Sequence, residues 1–190
     1  MDITLSGYLK QQYAQHIDDA FFDYVKANDI SLFDSCELAV RIYRIQREIY
    51  ITPHSPFSKY LKLLSLLQKQ FACCEIYYSA EIGNNFSLLH GIGTIIGSTV
   101  KIGDNVTIWH DVTIGTKYDT TKEKPVIHND AIIYSGARVL GDIIVGAGAV
   151  IAANAVVVTS VGQKEIFAGV PAKKIGVVRS GKYKLPPGAK

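Results

Sequence analysis

The chain has 190 residues, nearly half of them hydrophobic and only 19% charged, so it can bury the core of one domain or a domain with an appendage. Its net charge of +3 is mild and spread along the sequence. That argues against a nucleic-acid binder, in which Lys and Arg concentrate on one face.

The start, MDITLSGYLKQQ, lacks the basic end and apolar core of a signal peptide. No apolar run approaches the roughly 18 residues of a membrane span, so a cytoplasmic protein is expected. Residues 1–72 read as a helical region. QHIDDAFFDYVKANDI fits a helix, and CELAVRIYRIQREIY repeats Leu38, Ile42, Ile45 and Ile49 at helical spacing. Two prolines in ITPHSPF break the pattern. KYLKLLSLLQKQF then sets Leu61, Leu64, Leu67 and Phe71 on one face. Three cysteines, with Cys73 and Cys74 adjacent, make neither a disulfide framework nor a zinc knuckle. They read as plain thiols of a reducing compartment.

From about residue 74 a six-residue period takes over. Ile76, Ile82 and Leu88 form one run, and Ile96, Ile102, Ile108 and Ile114 a second. Ile127, Ile133, Val139, Val145, Ile151 and Val157 form the third. Each unit is a short strand with one inward aliphatic residue, followed by small or turn-forming residues that bend the chain through a corner. Three units make a triangular coil, and coils stack so that backbone amides pair with the next coil. A β/α domain is excluded because residues 74–160 leave no room for helices between the strands. The predicted fold is α+β: an N-terminal helical segment followed by a parallel β-helix of hexapeptide repeats. The domain boundaries are 1–72, 73–178 and a C-terminal tail at 179–190. The cluster Lys173-Lys174, with Lys164, Arg179, Lys182 and Lys184 around it, reads first as a solvated tail.

The period breaks twice. Two extra residues sit in HGIGT, and a polar stretch, GTKYDTTKEKP, separates Ile114 from Ile127. Insertions in a solenoid leave the coil as loops and commonly carry function. His90 and His110 hold the same place in their hexads, two residues after Leu88 and Ile108, so they are expected to stack in adjacent coils. For His110, a surface imidazole beside Trp109 is the plainer reading.

The runs CEIYYSAEIGNNFSLLHGIGTIIGSTVKIGDNVTIWHDVTIGT and VLGDIIVGAGAVIAANAVVV, with FAGVPAKKIG after the second, resemble serine acetyltransferases over roughly residues 70–178. The resemblance implies a left-handed solenoid, a homotrimer with sites between neighbouring subunits, and acetyl transfer from acetyl-CoA to a hydroxyl. It implies His90 as general base and Glu75, where the family more often has aspartate, as the carboxylate that orients it. An imidazole suits the task because its ordinary pKa lies near working pH. Acetyl-CoA would lie near Gly115, Thr116, Ser135 and Ala153, with Lys173 near the phosphates. No resident metal is implied.

Two departures bear on the acceptor. The family's aspartate before the histidine, which reads the serine amino group, is Leu89 here. Its Arg-His pair before the loop proline is Glu123-Lys124, so the bidentate fork for a carboxylate is gone. These changes point to a sugar hydroxyl on a capsular or other surface glycan or its precursor, with Leu89, Trp109, His110 and Lys124 as candidate acceptor residues. Serine O-acetylation for cysteine biosynthesis is the alternative. A metal enzyme of the γ-carbonic anhydrase type would use His90, His110 and His128, but the close ligand pair of that family is missing. A non-catalytic assembly solenoid would be expected to lose His90.

Overall fold

A computed structural model of the chain describes residues 3–118 and 124–179. Four helices come first: α1 (Leu5–Tyr13), α2 (Asp19–Ala27), α3 (Ser35–Ile51) and α4 (Leu61–Ala72), the last preceded by a 3-10 turn at Ser58–Tyr60. The first three start on side-chain caps, in which Thr4, Asp18 and Asp34 accept the N–H of Gly7, Phe21 and Glu37. The sequence left α1 unassigned, because only Leu5 and Leu9 mark an apolar side; both are fully buried. Together with Phe21, Leu38, Ile42 and Leu64 they form a core of the helical region. Cys73 ends α4 in the left-handed conformation (φ +50°) and turns the chain into the solenoid.

From Glu75 to Val157 the strands are two or three residues long. All thirteen aliphatic residues of the six-residue period are buried. Parallel pairing stacks them in three columns. Ile76, Ile96, Ile114, Val139 and Val157 form the first. Ile82, Ile102, Ile127 and Val145 form the second. Leu88, Ile108, Ile133, Ile151 and finally Phe167 form the third. The result is the expected left-handed parallel β-helix. Left-handed residues mark its corners, and several are Asn or Asp (Asn85, Asn105, Asp111, Asp130, Asn154), whose short polar side chains tolerate that conformation.

The first coil has no coil before it, so its outer peptide groups need other partners. Helices α3 and α4 supply them. Gln68 donates to Ala39 O and accepts the Ile76 N–H at 2.8 Å. The Tyr43 hydroxyl donates to Ala80 O at 2.9 Å and accepts the Ile82 N–H at 3.2 Å. Arg44 donates to the carbonyls of Ile82 and Gly83. Burial pushes the Tyr43 hydroxyl above its ordinary range, so it remains a donor. At the other end, Glu165–Ala168 pairs parallel with Val150–Ile151, and Lys173–Val177 folds back on it antiparallel. Among the described residues no helix is long and apolar enough to cross a membrane.

Candidate active site

His90 lies on the corner between the third and first sheets, where the two extra residues loop out. Its backbone is left-handed (φ +55°), a conformation that costs a non-glycine residue about 1–2 kcal/mol unless the surroundings impose it. Here they do. Gly93 donates its N–H to Cys73 O at 2.8 Å, Thr94 to Gly91 O at 3.1 Å, and Gly91 to Cys36 Sγ at 3.3 Å. A Cβ at Gly91 would stand 2.5 Å from Leu88 Cδ2 and 2.7 Å from its Cγ, so any other residue there would push the Leu88 side chain aside. Buried Thr94 stitches the loop to the next coil, donating to Trp109 O and accepting the Val112 N–H.

The register carries His90 into a column. His90, His110, Ser135 and Ala153 each stand two residues after a member of the Leu88–Ile108–Ile133–Ile151 stack, so the expected stacking of the two histidines is present. Their ring centroids are 6.3 Å apart in an edge-to-face arrangement. Both rings are exposed and face a cavity of about 520 Å³ shared with Ile92, Gly93 and Asp111. Trp109 lies 5.8 Å from His90, centroid to centroid, and stacks on Tyr134 of the next coil at 5.8 Å and 24°. Arg138 grips Asp111 with two hydrogen bonds of 3.1 and 3.2 Å, and Gly136 donates its N–H to His110 O, so the corner that presents His110 is fixed. Leu89, half-buried before His90, spends its N–H on Ile108 O and offers the cavity no polar side-chain group.

Glu75 stands at the same corner but is otherwise engaged. Its carboxylate takes the Lys69 ammonium at 2.6 Å. That hydrogen bond holds Lys69 above the usual lysine range. Among the described residues no hydrogen bond or ion pair joins Glu75 to His90, so the expected orienting pair is not made in this chain. The cause is local: the last turn of α4 and the reversal at Cys73 bring Lys69 onto Glu75.

The residues expected along acetyl-CoA fall in two places. Ser135 and Ala153 continue the histidine column, while Gly115 and Thr116 lie at the C-terminal end of the central strand of the first sheet, where the polar loop begins. A Cβ on Gly115 would meet nothing within 4 Å, so the chain's own packing does not require glycine there. The absence of a side chain leaves room for a ligand to reach the backbone. Lys124 is half-buried just before Pro125, where the loop returns to the coil; Glu123 lies outside the described residues. The basic pair is split: Lys174 bonds Glu165 at 2.6 Å, whereas Lys173 is exposed.

His128 lies on a different corner, in a groove of about 800 Å³ that includes Tyr43, Arg44 and Lys101. Among the described residues no three His, Cys, Asp or Glu side chains converge to hold a metal ion. The sequence reading missed Cys36, Lys69 and Arg138. Their roles depend on partners 55, 6 and 27 residues away, with no motif to announce them.

Comparison with known proteins gives one consistent picture. The family model "Bacterial transferase hexapeptide (six repeats)" matches residues 124–159. Serine acetyltransferase of Bacillus pumilus is 42% identical over 122 residues, 64% of this chain and 55% of that protein. The Bacillus subtilis enzyme is 38% identical over 145 residues, 76% and 64% of the respective chains. The chain thus spans little more than half the length of these relatives. Among solved structures, serine acetyltransferase from Brucella abortus in complex with coenzyme A superposes with a TM-score of 0.69 at 31% identity, covering 74% of this chain and 56% of that one. A serine acetyltransferase complex with cysteine gives 0.69 at 28% identity, over 76% and 55%.

Proposed function

For a chain that is serine acetyltransferase-like and built of hexapeptide repeats, we propose acetyl transfer from acetyl-CoA to an acceptor hydroxyl, with His90 as general base. The observation that carries this reading is the placement of His90. It stands on the displaced corner, its ring exposed to the cavity, at the head of the column that leads through His110 to Ser135 and Ala153. His90 removes the hydroxyl proton as the acceptor oxygen bonds to the acetyl carbon. The carbon–sulfur bond then breaks, and the CoA thiolate takes up the proton held on the imidazolium. Acetyl-CoA would extend along the small residues Ser135, Ala153, Gly115 and Thr116, with its phosphates toward Lys173. Glu75 would help His90 only after releasing Lys69, so its contribution is smaller than that of a preformed carboxylate–imidazole pair. The likeness to serine acetyltransferases also supports a homotrimer with the site between neighbouring solenoids.

L-Serine is the acceptor that the relatives support. That order reverses the one the sequence alone suggests, because similarity over 64–76% of the chain outweighs the departures at Leu89 and Glu123-Lys124. A sugar hydroxyl is the second reading. Leu89 beside His90 cannot bond an amino group, and the Trp109–Tyr134 stack provides a flat aromatic surface next to the base. A screen of L-serine against sugar acceptors, read by mass spectrometry, decides between them. Efficient acetylation of serine with no glycan product ends the second reading. His90→Ala tests the chemistry common to both: CoA release falls about 10²- to 10⁴-fold while acetyl-CoA still binds. An unchanged rate overturns the assignment.

A further inference from the structure

We propose that Cys36, on the first turn of α3, is a positioning residue for His90; this rests on His90 being the base. The four amide hydrogens that follow His90 all have acceptors. Ile92 donates to His90 O, Gly93 to Cys73 O and Thr94 to Gly91 O. Gly91 donates to Cys36 Sγ at 3.3 Å, the only side-chain acceptor in the set. The Gly91 amide is the one directly bonded to the histidine's own carbonyl carbon, so whatever fixes it fixes the peptide plane from which the His90 ring is aimed.

The support is directional. The Gly91 backbone packs beside Leu88 of the third column, where an added Cβ would stand 2.5 Å from Leu88 Cδ2. Asp34 caps the first turn of helix α3 on its own Glu37 N–H, and farther along Tyr43 and Arg44 bond the helix to the first coil. The helix is therefore registered against the solenoid independently of Cys36, and the thiol is carried to Gly91 on a fixed frame. His90 sits in a left-handed conformation that only its surroundings sustain. Loss of the acceptor leaves the N–H of buried Gly91 without a partner and frees the peptide to rotate. A reacting group displaced by about 1 Å loses up to 10²-fold in rate, so an intermediate loss is expected for this single support.

The test uses three variants of the full chain. Cys36→Val keeps the volume and removes the acceptor, Cys36→Ser keeps an acceptor, and His90→Ala is the control. Cys36→Val is expected to lower kcat about tenfold with KM for acetyl-CoA unchanged within about twofold. Amide exchange at Gly91 should quicken while exchange in the second and third sheets stays as in the parent. Cys36→Ser should restore kcat to within about threefold of the parent, since a hydroxyl oxygen also accepts the N–H. Parental kcat in Cys36→Val, or an equal loss in Cys36→Ser, overturns the inference while a dead His90→Ala leaves the base assignment standing. An active His90→Ala enzyme removes both. A lowered melting temperature in Cys36→Val with parental kcat assigns the thiol to packing alone and also overturns it.

Discussion

Tyr43→Phe isolates how the helical region holds the solenoid, because it removes one oxygen and no apolar contact. That oxygen serves two peptide groups of the first coil, the Ala80 carbonyl at 2.9 Å and the Ile82 N–H at 3.2 Å. Tyr43 is 1% exposed and Ala80 0%, so water cannot replace it without opening the interface. An unpaired buried donor or acceptor costs about 1–3 kcal/mol, and two are created at once. Partial re-pairing lowers the sum, which sets the expected loss at about 2–4 kcal/mol. For a chain of this size each kcal/mol moves the melting temperature by about 2–4 °C, so the shift is about 4–16 °C. Thermal unfolding of parent and variant at equal protein concentration measures it, since any oligomer makes the midpoint concentration-dependent. A shift below about 2 °C would refute the reasoning and leave the helices held by apolar packing and the Gln68 and Arg44 contacts.

Gly91→Ala forces a methyl against Leu88; it should cost about 1–3 kcal/mol of stability and lower kcat more than KM, and parental kinetics would show that the loop adapts. Lys173→Ala should raise KM for acetyl-CoA about three- to fivefold at low salt and less at high salt, while Lys174→Ala, whose ammonium already faces Glu165, should leave KM near the parent value. Equal effects from the two lysines would remove Lys173 from the phosphate site. The Lys174 ammonium and the Gly162 N–H hold Glu165 below its ordinary 4.5. That contribution is therefore full above pH 4.5 and is lost as pH falls through the depressed value. Exchange of the Lys173–Val177 amides should quicken selectively in that acid range, and a pH-independent pattern would deny the clamp.

The solenoid was legible because its signal is repetitive and local. Each inward Ile, Val or Leu obeys the same spacing, and the register of all three columns follows from counting. The break at HGIGT marks a real departure from the coil, while residues 119–123 of the second break lie outside the described residues. Helices α3 and α4 showed through their apolar spacing, but α1 did not, since only Leu5 and Leu9 are apolar among its buried residues. The site was half legible. His90, His110, Ser135 and Ala153 fall into one column because hexad position fixes them. Nothing in the sequence signals that a lysine six residues before Glu75, on a helix that then reverses, takes its carboxylate. Polar partners that meet only after the helices dock, such as Cys36 with Gly91 or Gln68 with Ile76, leave no periodic trace.

The way the two ends of the stack are closed limits the molecule's growth. A parallel stack of coils is in principle endless, since each coil offers the next one a complete row of donors and acceptors. Here Gln68, Tyr43 and Arg44 occupy that row at the first coil. At the last, the reversed strand Lys173–Val177 presents the wrong direction for another coil to follow. A second copy meets a filled row at the first coil and an antiparallel strand on the third sheet at the last. A chain stripped of its N-terminal helices would expose a sticky first coil and be prone to fibrous stacking.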